Sequence, residues 1–282
     1  MKRVRSPGKS PLVLGLRWAV YGAAGTTMGV ILFLVGFILI RGVPHLSPSL
    51  FAWTYTSVNV SLTPALINTI LVTAAALVLA VPGGIFAALW LTEYARRGNR
   101  LVPLIRLAAE TLAGLPSIVY GLFGMLLFAV FLRWGYSLLA GSFTLGIMIL
   151  PLIMRTAEEA LKSVPGSYRE GSFGLGAGKL RTLFGIVLPA AMPGILAGII
   201  LAVGRITGET AALIFTAGTV PKLPDTPLSS VRTLAVHMYN LSSEGLYMNQ
   251  SYASAVFLLL LVMGLNGLSA WAAKKITGGG NG

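Results

Sequence analysis

Long uncharged stretches alternate with short basic ones along this chain. The apolar runs are Trp18 to Ile40, Leu62 to Leu91, Leu107 to Leu132, Leu138 to Met154, Leu188 to Ala217 and Tyr252 to Ala273. Crossing roughly 30 Å of hydrocarbon as helix takes about 20 mainly apolar residues, and each run is long enough. Each therefore predicts one membrane helix, and together they predict an all-α membrane protein with about six transmembrane helices. The second and fifth runs exceed what a bilayer needs and must tilt, kink or project beyond it. Pro82 with Gly83 and Gly84, Pro116, and Pro189 with Pro193 are the candidate kink or helix-start positions.

Composition agrees with a lipid-facing exterior. Of 282 residues, 55% are hydrophobic and 10% charged, with a mean hydropathy of +0.82, too little polar surface to cover a soluble fold. A net charge of +13 in a soluble domain would point to nucleic acid, but these basic residues sit beside apolar runs and report topology instead. Of the 21 Lys and Arg residues, sixteen fall in one set of loops, four (Arg41, Arg133, Lys222, Arg232) in the alternate set, and Arg205 inside the fifth run. The basic excess marks the cytoplasmic side, which predicts both termini there and an even number of spans. Residues Lys2 to Lys9 are basic, as at the start of a secretory signal, but Trp18 to Ile40 is too long for one and is read as a retained first span. Cysteine is absent and His45 and His237 are the only histidines, so disulfides, thiolate chemistry and a histidine-rich metal site have no basis; neither metal nor cofactor is expected in this chain.

The resulting plan is a cytoplasmic segment 1–17, a peripheral helix 18–40, a core 62–273 with five transmembrane helices, and a cytoplasmic tail 274–282. The Gly278 to Gly282 end of that tail reads as unstructured. Two connections are long. The external loop 218–251, with Pro221, Pro224 and Pro227, reads either as a surface for an outside partner or as a solvated connector. The cytoplasmic loop 155–187 has an internal design. Ser167-Tyr168-Arg169-Glu170 has capping-box spacing after Pro165, Gly176 or Gly178 suits the left-handed residue that ends a helix, and a second helix is predicted from Lys179 until Pro189 starts the fifth span.

Within that loop, Glu170-Gly171-Ser172, then Gly176, then Ile186-Val187-Leu188-Pro189 resembles the cytoplasmic motif of binding-protein-dependent ABC importer permeases. The family pattern has two alanines where Gly171 and Ser172 stand; both replacements are small, so close approach to another surface survives. The resemblance implies a type I ABC importer permease fold. It also implies that Glu170, Gly171, Ser172, Gly176, Ile186, Leu188 and Pro189 dock a separate ATPase subunit. The nearby Gly174-Leu175-Gly176-Ala177-Gly178-Lys179 is no phosphate-binding loop. Phe173 stands where its first glycine belongs, Leu180 where a Ser or Thr should hold magnesium, and no strand precedes it. The chain itself is therefore not read as an enzyme, and ATP and magnesium are expected on a partner.

Arg205 and Glu209 lie inside the fifth apolar run, where an ionised group costs at least about 2.5 kcal/mol and normally faces a bundle interior or aqueous cavity. Their spacing of four predicts one helix face, either as a structural ion pair or lining a path in which Arg205 offers forked donors to an oxyanion. Gly194 with Gly198, and Gly204 with Gly208, predict close helix packing. The stretch Arg205-Ile206-Thr207-Gly208-Glu209-Thr210-Ala211, with Leu115-Pro116-Ser117-Ile118-Val119-Tyr120-Gly121 in the third run, resembles the phosphate-import (Pst-type) branch of these permeases, its A-type subunit in particular. That resemblance implies a substrate path at Arg205, Glu209 and Thr207. It also implies phosphate as cargo, a homologous C-type permease or a second copy as partner, two ATP-binding subunits, an external phosphate-binding protein, and the cell inner membrane as location. Glu110 either faces the path or reaches the interface. The alternatives are another oxyanion such as molybdate or sulfate, or a stand-alone channel or secondary carrier.

Overall fold

The computed structural model describes residues 11–96 and 98–278. The basic residues Lys2, Arg3, Arg5, Lys9 and Arg97, and the end of the tail at 279–282, lie outside the described residues; Gly278 closes the last helix. Among the described residues the chain is helical without strands: α1 (Pro11–Gly42), α2 (Thr63–Leu89), α3 (Leu101–Ala113), α4 (Ser117–Gly124), α5 (Leu138–Ser163), α6 (Gly166–Gly174), α7 (Lys179–Thr182), α8 (Leu188–Thr207), α9 (Ala211–Ile214), α10 (Leu234–Glu244) and α11 (Met248–Gly278). Five of the helical segments are long and apolar enough to cross a membrane, or six with α3 and α4 taken as one bent span.

Packing is centred on α5, whose partners α2 and α8 approach where side chains are small. A Cβ on Gly84 of α2 would lie 2.8 Å from Ile153 Cγ2, and one on Gly194 of α8 would lie 2.6 Å from Ala160 Cβ. Gly198 likewise faces Thr156, so the first glycine pair does what its spacing predicts. Gly204 faces Asn266 of α11, whereas Gly208 has open space around it. The apolar interior between these helices holds Leu145, Ile149, Ile153, Ile206 and Leu213, each at most 2% exposed. By contrast, α1 stands apart. It touches α11 near its end, through Phe37 against Tyr252 and Gly42 against the Tyr252 carbonyl, and the side chains from Val13 to Leu34 are exposed.

Three of the predicted runs differ from the helices that form. The third is not one helix: α3 and α4 meet at 102° across Gly114-Leu115-Pro116. Proline pushes the residue before it out of the helical region and has no N–H to continue the ladder. The fifth run also breaks, with α8 ending at Thr207 and α9 beginning at Ala211. The fourth helix passes the predicted end at Met154 and continues to Ser163. There Glu158 Oε1 takes Arg106 at 2.6 Å and Lys162 at 2.7 Å, and Arg155 reaches Glu110 at 3.6 Å. Charges thus ended the apolar run without ending the helix, and Glu110, mostly exposed, is an ion-pair partner at the junction of α3 and α5. At the fifth span, Pro189 does not start a new helix. The chain is helical from Lys179 to Thr207, and a π-type segment at Leu183–Val187 just before the proline widens the ladder where its missing N–H and its ring would otherwise collide with it.

The segment 218–251, expected outside, is no solvated connector either. Val231 to His237 are buried, Asn68 of α2 donates to the carbonyls of Lys222 and Arg232, and Leu234 N–H donates to Thr69 Oγ1. Arg232, 9% exposed, donates to Thr219 O and lies 3.5 Å from Nδ1 of His237. Burial, and then the Arg232 charge, lower the His237 pKa to about 3, so this histidine is neutral at physiological pH.

Candidate substrate path and ATPase-coupling surface

Arg205 occupies the last turn of α8, exposed, and belongs to none of the ion pairs among the described residues. Glu209 is not on the same helix face, because the helix has already ended. Gly208 and the β-branched Thr207 and Thr210 are weak helix formers. Glu209 instead turns its Oε1 to the N–H of Ala212 at 3.2 Å, opening α9. The predicted i, i+4 pair is thereby overturned, and with it the structural ion pair. Arg205 and Glu209 flank a broken helix, one on each side of Gly208. Thr207 is buried, its hydroxyl given to Val203 O at 2.7 Å, so it finishes α8 instead of standing with Arg205 on the open side.

The loop predicted to couple to an ATPase is built on a helix stop. Gly176 adopts φ +80°, Ala177 N–H reaches Ser172 O and Gly176 N–H reaches Phe173 O, the two bonds of a Schellman turn. The predicted capping box is absent, because α6 begins two residues earlier than that spacing assumed. Pro165 is the N-cap, which leaves Ser167 inside the first turn, and no side chain caps this end. Ser172 is buried with its hydroxyl 2.8 Å from that of Thr182, tying α6 to α7; this contact gives a reason for serine at a position where the family has alanine. Glu170 and Gly171 are exposed, and Gly171, Gly176 and Ile186 help line a groove of about 720 Å³ between α6 and the start of the fifth span. Leu175 (91% exposed) also lines it, and Phe173, Leu180 and Phe184, close by in sequence, are exposed apolar side chains of the kind that marks a docking surface. Leu188 and Pro189 lie beyond, at the start of α8.

Residues 80–278, well over half of the chain, match the family described as the binding-protein-dependent transport system inner membrane component. This chain belongs to that family. The permease is 32% identical over 280 residues to the "Probable ABC transporter permease protein YqgI" of Bacillus subtilis (strain 168), covering 93% of this chain and 95% of that one. It is 31% identical over 259 residues to the "Phosphate transport system permease protein PstA" of Haemophilus influenzae, covering 90% and 87%. It is 37% identical over 200 residues to "PstA 2" of Mycobacterium bovis, covering 68% and 65%. Among solved structures, a bacterial ABC transporter for the import of alginate superposes with a TM-score of 0.66 at 14% identity, over 95% of this chain and 100% of that one. The MetNI methionine ABC transporter, in inward-facing form, gives 0.59 at 17% identity, over 86% and 98%. The fold is that of type I ABC importer permeases, and the chain is a membrane-embedded permease subunit of an ABC importer.

Sequence reasoning missed the clasp that holds α6 of this permease. Arg169 donates from Nε and Nη2 to Glu93 Oε1 at 3.0 and 2.6 Å, and from Nη1 and Nη2 to the carbonyls of Val164 and Leu161. It thus binds the π-type segment after α2 (Trp90–Tyr94) and the end of α5 at once. Lys179 adds a second link, with Nζ 4.4 Å from the Tyr94 ring centre. The one available signal was that Glu93 is among only 8 acidic residues and sits where the second run ends.

Because Gly176 holds positive φ, Gly176→Ala is expected to destabilise the turn by about 1 kcal/mol, and Gly176→Pro, whose φ is fixed near −65°, to destroy it. Protease susceptibility between α6 and α7 in the membrane-inserted protein should rise in that order, and equal resistance in all three forms would contradict the turn.

Proposed function

We propose that this permease imports phosphate, pairing with a homologous C-type permease or a second copy of itself, with two ATP-binding subunits and with an external phosphate-binding protein. ATP is hydrolysed, with its magnesium, on the partner subunits, and the groove at Gly171, Ser172, Gly176 and Ile186, with Glu170 exposed on the same helix, receives them on the cytoplasmic side, where both termini also lie. The observation that carries the cargo reading is Arg205, a guanidinium without an ion-pair partner among the described residues, beside a helix break within an apolar span. Its planar fork matches two oxygens of an oxyanion. Glu209, across the break, adds discrimination. Hydrogen phosphate has an O–H to donate to a carboxylate, whereas sulfate at neutral pH has none. The names of the Haemophilus and Mycobacterium relatives support the same cargo.

The test is uptake into liposomes containing the co-purified complex, with binding protein outside and ATP inside. ATP-dependent accumulation of labelled phosphate that survives excess sulfate or molybdate is expected. Equal competition by those anions would overturn the cargo, and uptake without ATP or without an ATPase subunit would overturn the importer.

A further inference from the structure

The connection from α2 to α3 carries positive charge that the chain itself does not balance. From Ala95 to Ala109 the sequence has four arginines and no acidic residue. Arg96, Arg100 and Arg106, with Asn99, line a cleft of about 500 Å³ between the π-type segment after α2 and the first turns of α3, and no acidic side chain lines it. The carboxylates of the neighbouring elements are engaged elsewhere. Glu93 is held by Arg169, Glu110 lies 3.6 Å from Arg155, and Glu158 takes Lys162 together with Arg106. Arg106 therefore shares its charge, while Arg96 and Arg100 belong to none of the ion pairs among the described residues.

The counter-charge must come from outside the chain, and the surroundings of the cleft decide its kind. Leu91, the last residue of the second apolar run, forms part of the wall, so the cleft opens where a span ends. Trp90 and Tyr94, 38% and 41% exposed, stand at the same level, as amphipathic aromatics do at headgroup depth. With about 3.6 residues per turn, α3 turns Val102, Pro103 and Arg106 to the cleft and Leu104 and Leu107 to the adjoining side, where they are 59% and 61% exposed. This end of the spans is expected in the cytoplasm, where the leaflet is anionic. A basic cleft beside an uncovered apolar strip suits a molecule that joins an anionic head to an apolar tail. A free oxyanion would leave the leucines uncovered.

We propose that this cleft binds the phosphate of an anionic phospholipid through Arg96 and Arg100, with the acyl chains against Leu104 and Leu107. The lipid supplies the missing counter-charge and fastens the start of α3 to the membrane surface. The site shares no lining residue with the groove proposed for the ATPase.

The probe is phosphatidylglycerol with a photoreactive diazirine in one acyl chain, in nanodiscs holding the assembled transporter; phosphatidylcholine with the same group is the reference. Mass spectrometry of the digested permease reads the cross-links. Phosphatidylglycerol is expected to label the peptide containing Leu104 and Leu107 several-fold more than phosphatidylcholine does. Arg96→Gln and Arg100→Gln, at exposed side chains that leave the packing of the helices alone, should each lower that preference about fivefold, the effect of one arginine near an anionic surface. Arg17→Gln removes the same charge from the exposed α1 and should leave the preference unchanged. Equal labelling by the two lipids overturns the site. An equal loss in Arg17→Gln also overturns it, reducing the effect to general attraction between a basic chain and an anionic membrane. Loss of the label on adding millimolar inorganic phosphate gives the cleft to a free oxyanion and overturns the lipid. Cross-linking of positions 96 and 100 to an ATPase subunit, without lipid label, overturns it in favour of a protein contact.

Discussion

Replacing Arg205 with lysine is expected to lower phosphate uptake by about tenfold or more at matched membrane expression. Lysine keeps the charge at the end of α8, but a single ammonium cannot hold two oxygens as the planar fork does, and ~1.4 kcal/mol of lost charge-assisted contact corresponds to tenfold. The double variant Arg205→Gln with Glu209→Gln separates this role from simple charge balance. Were the two residues a buried pair, deleting both charges would relieve their burial cost and restore function. In the structure no ion pair joins them, and the Glu209 carboxylate serves α9 instead. The double variant is therefore expected to stay inactive, and near-normal uptake by it would remove Arg205 from the path.

Arg169→Ala is expected to uncouple the transporter. The substitution removes the donors to Glu93 Oε1, Val164 O and Leu161 O, in a pair whose side chains are 22% and 15% exposed. Removing one partner of a buried pair costs about 3–5 kcal/mol, and with this residual exposure the lower end applies. That cost falls on the attachment of α6, away from the packing of α2, α5 and α8, so the protein should still insert. Uptake should drop at least about tenfold, and the partner ATPase should no longer respond to phosphate-loaded binding protein. Arg169→Lys retains a charge for Glu93 but not the fork that also reaches two carbonyls, and should fall between the two. A charge swap, Glu93→Arg with Arg169→Glu, should not rescue, because a carboxylate at position 169 repels those same carbonyls. Wild-type uptake by Arg169→Ala would show that α6 is held by other contacts.

How much was legible in the sequence follows from what each signal measures. Hydropathy sums the free energy of transferring a stretch into lipid, so it located every span, but it carries no direction for the backbone inside the run. Pro116 marked the place of the bend as a helix-start position but not its 102° angle, and the break at Gly208 lay hidden in an apolar run for that reason. Charges end an apolar run, yet α5 runs on past Met154 because Arg106, Lys162 and Glu158 pair outside the apolar stretch. The stop at Gly176 was legible because the left-handed residue that ends a helix is a local backbone demand that glycine meets at least cost. Capping-box spacing misled because a pattern of two side chains does not say which residue starts the helix, and the turn at Pro165 did.

By itself, then, the sequence determined that this chain lives in lipid, where its spans lie, and which loop carries the glycine stop, since these depend on transfer energies and near-neighbour backbone preferences. Tertiary structure decided the contacts that join distant residues: Glu93 with Arg169, 76 positions apart, Leu234 with Thr69, and Gly121 against Ala212. It also decided that Arg205 and Glu209 stand apart. An i, i+4 spacing brings two charges together only if the helix continues between them, and whether it continues past Gly208 depends on the surroundings into which α9 folds.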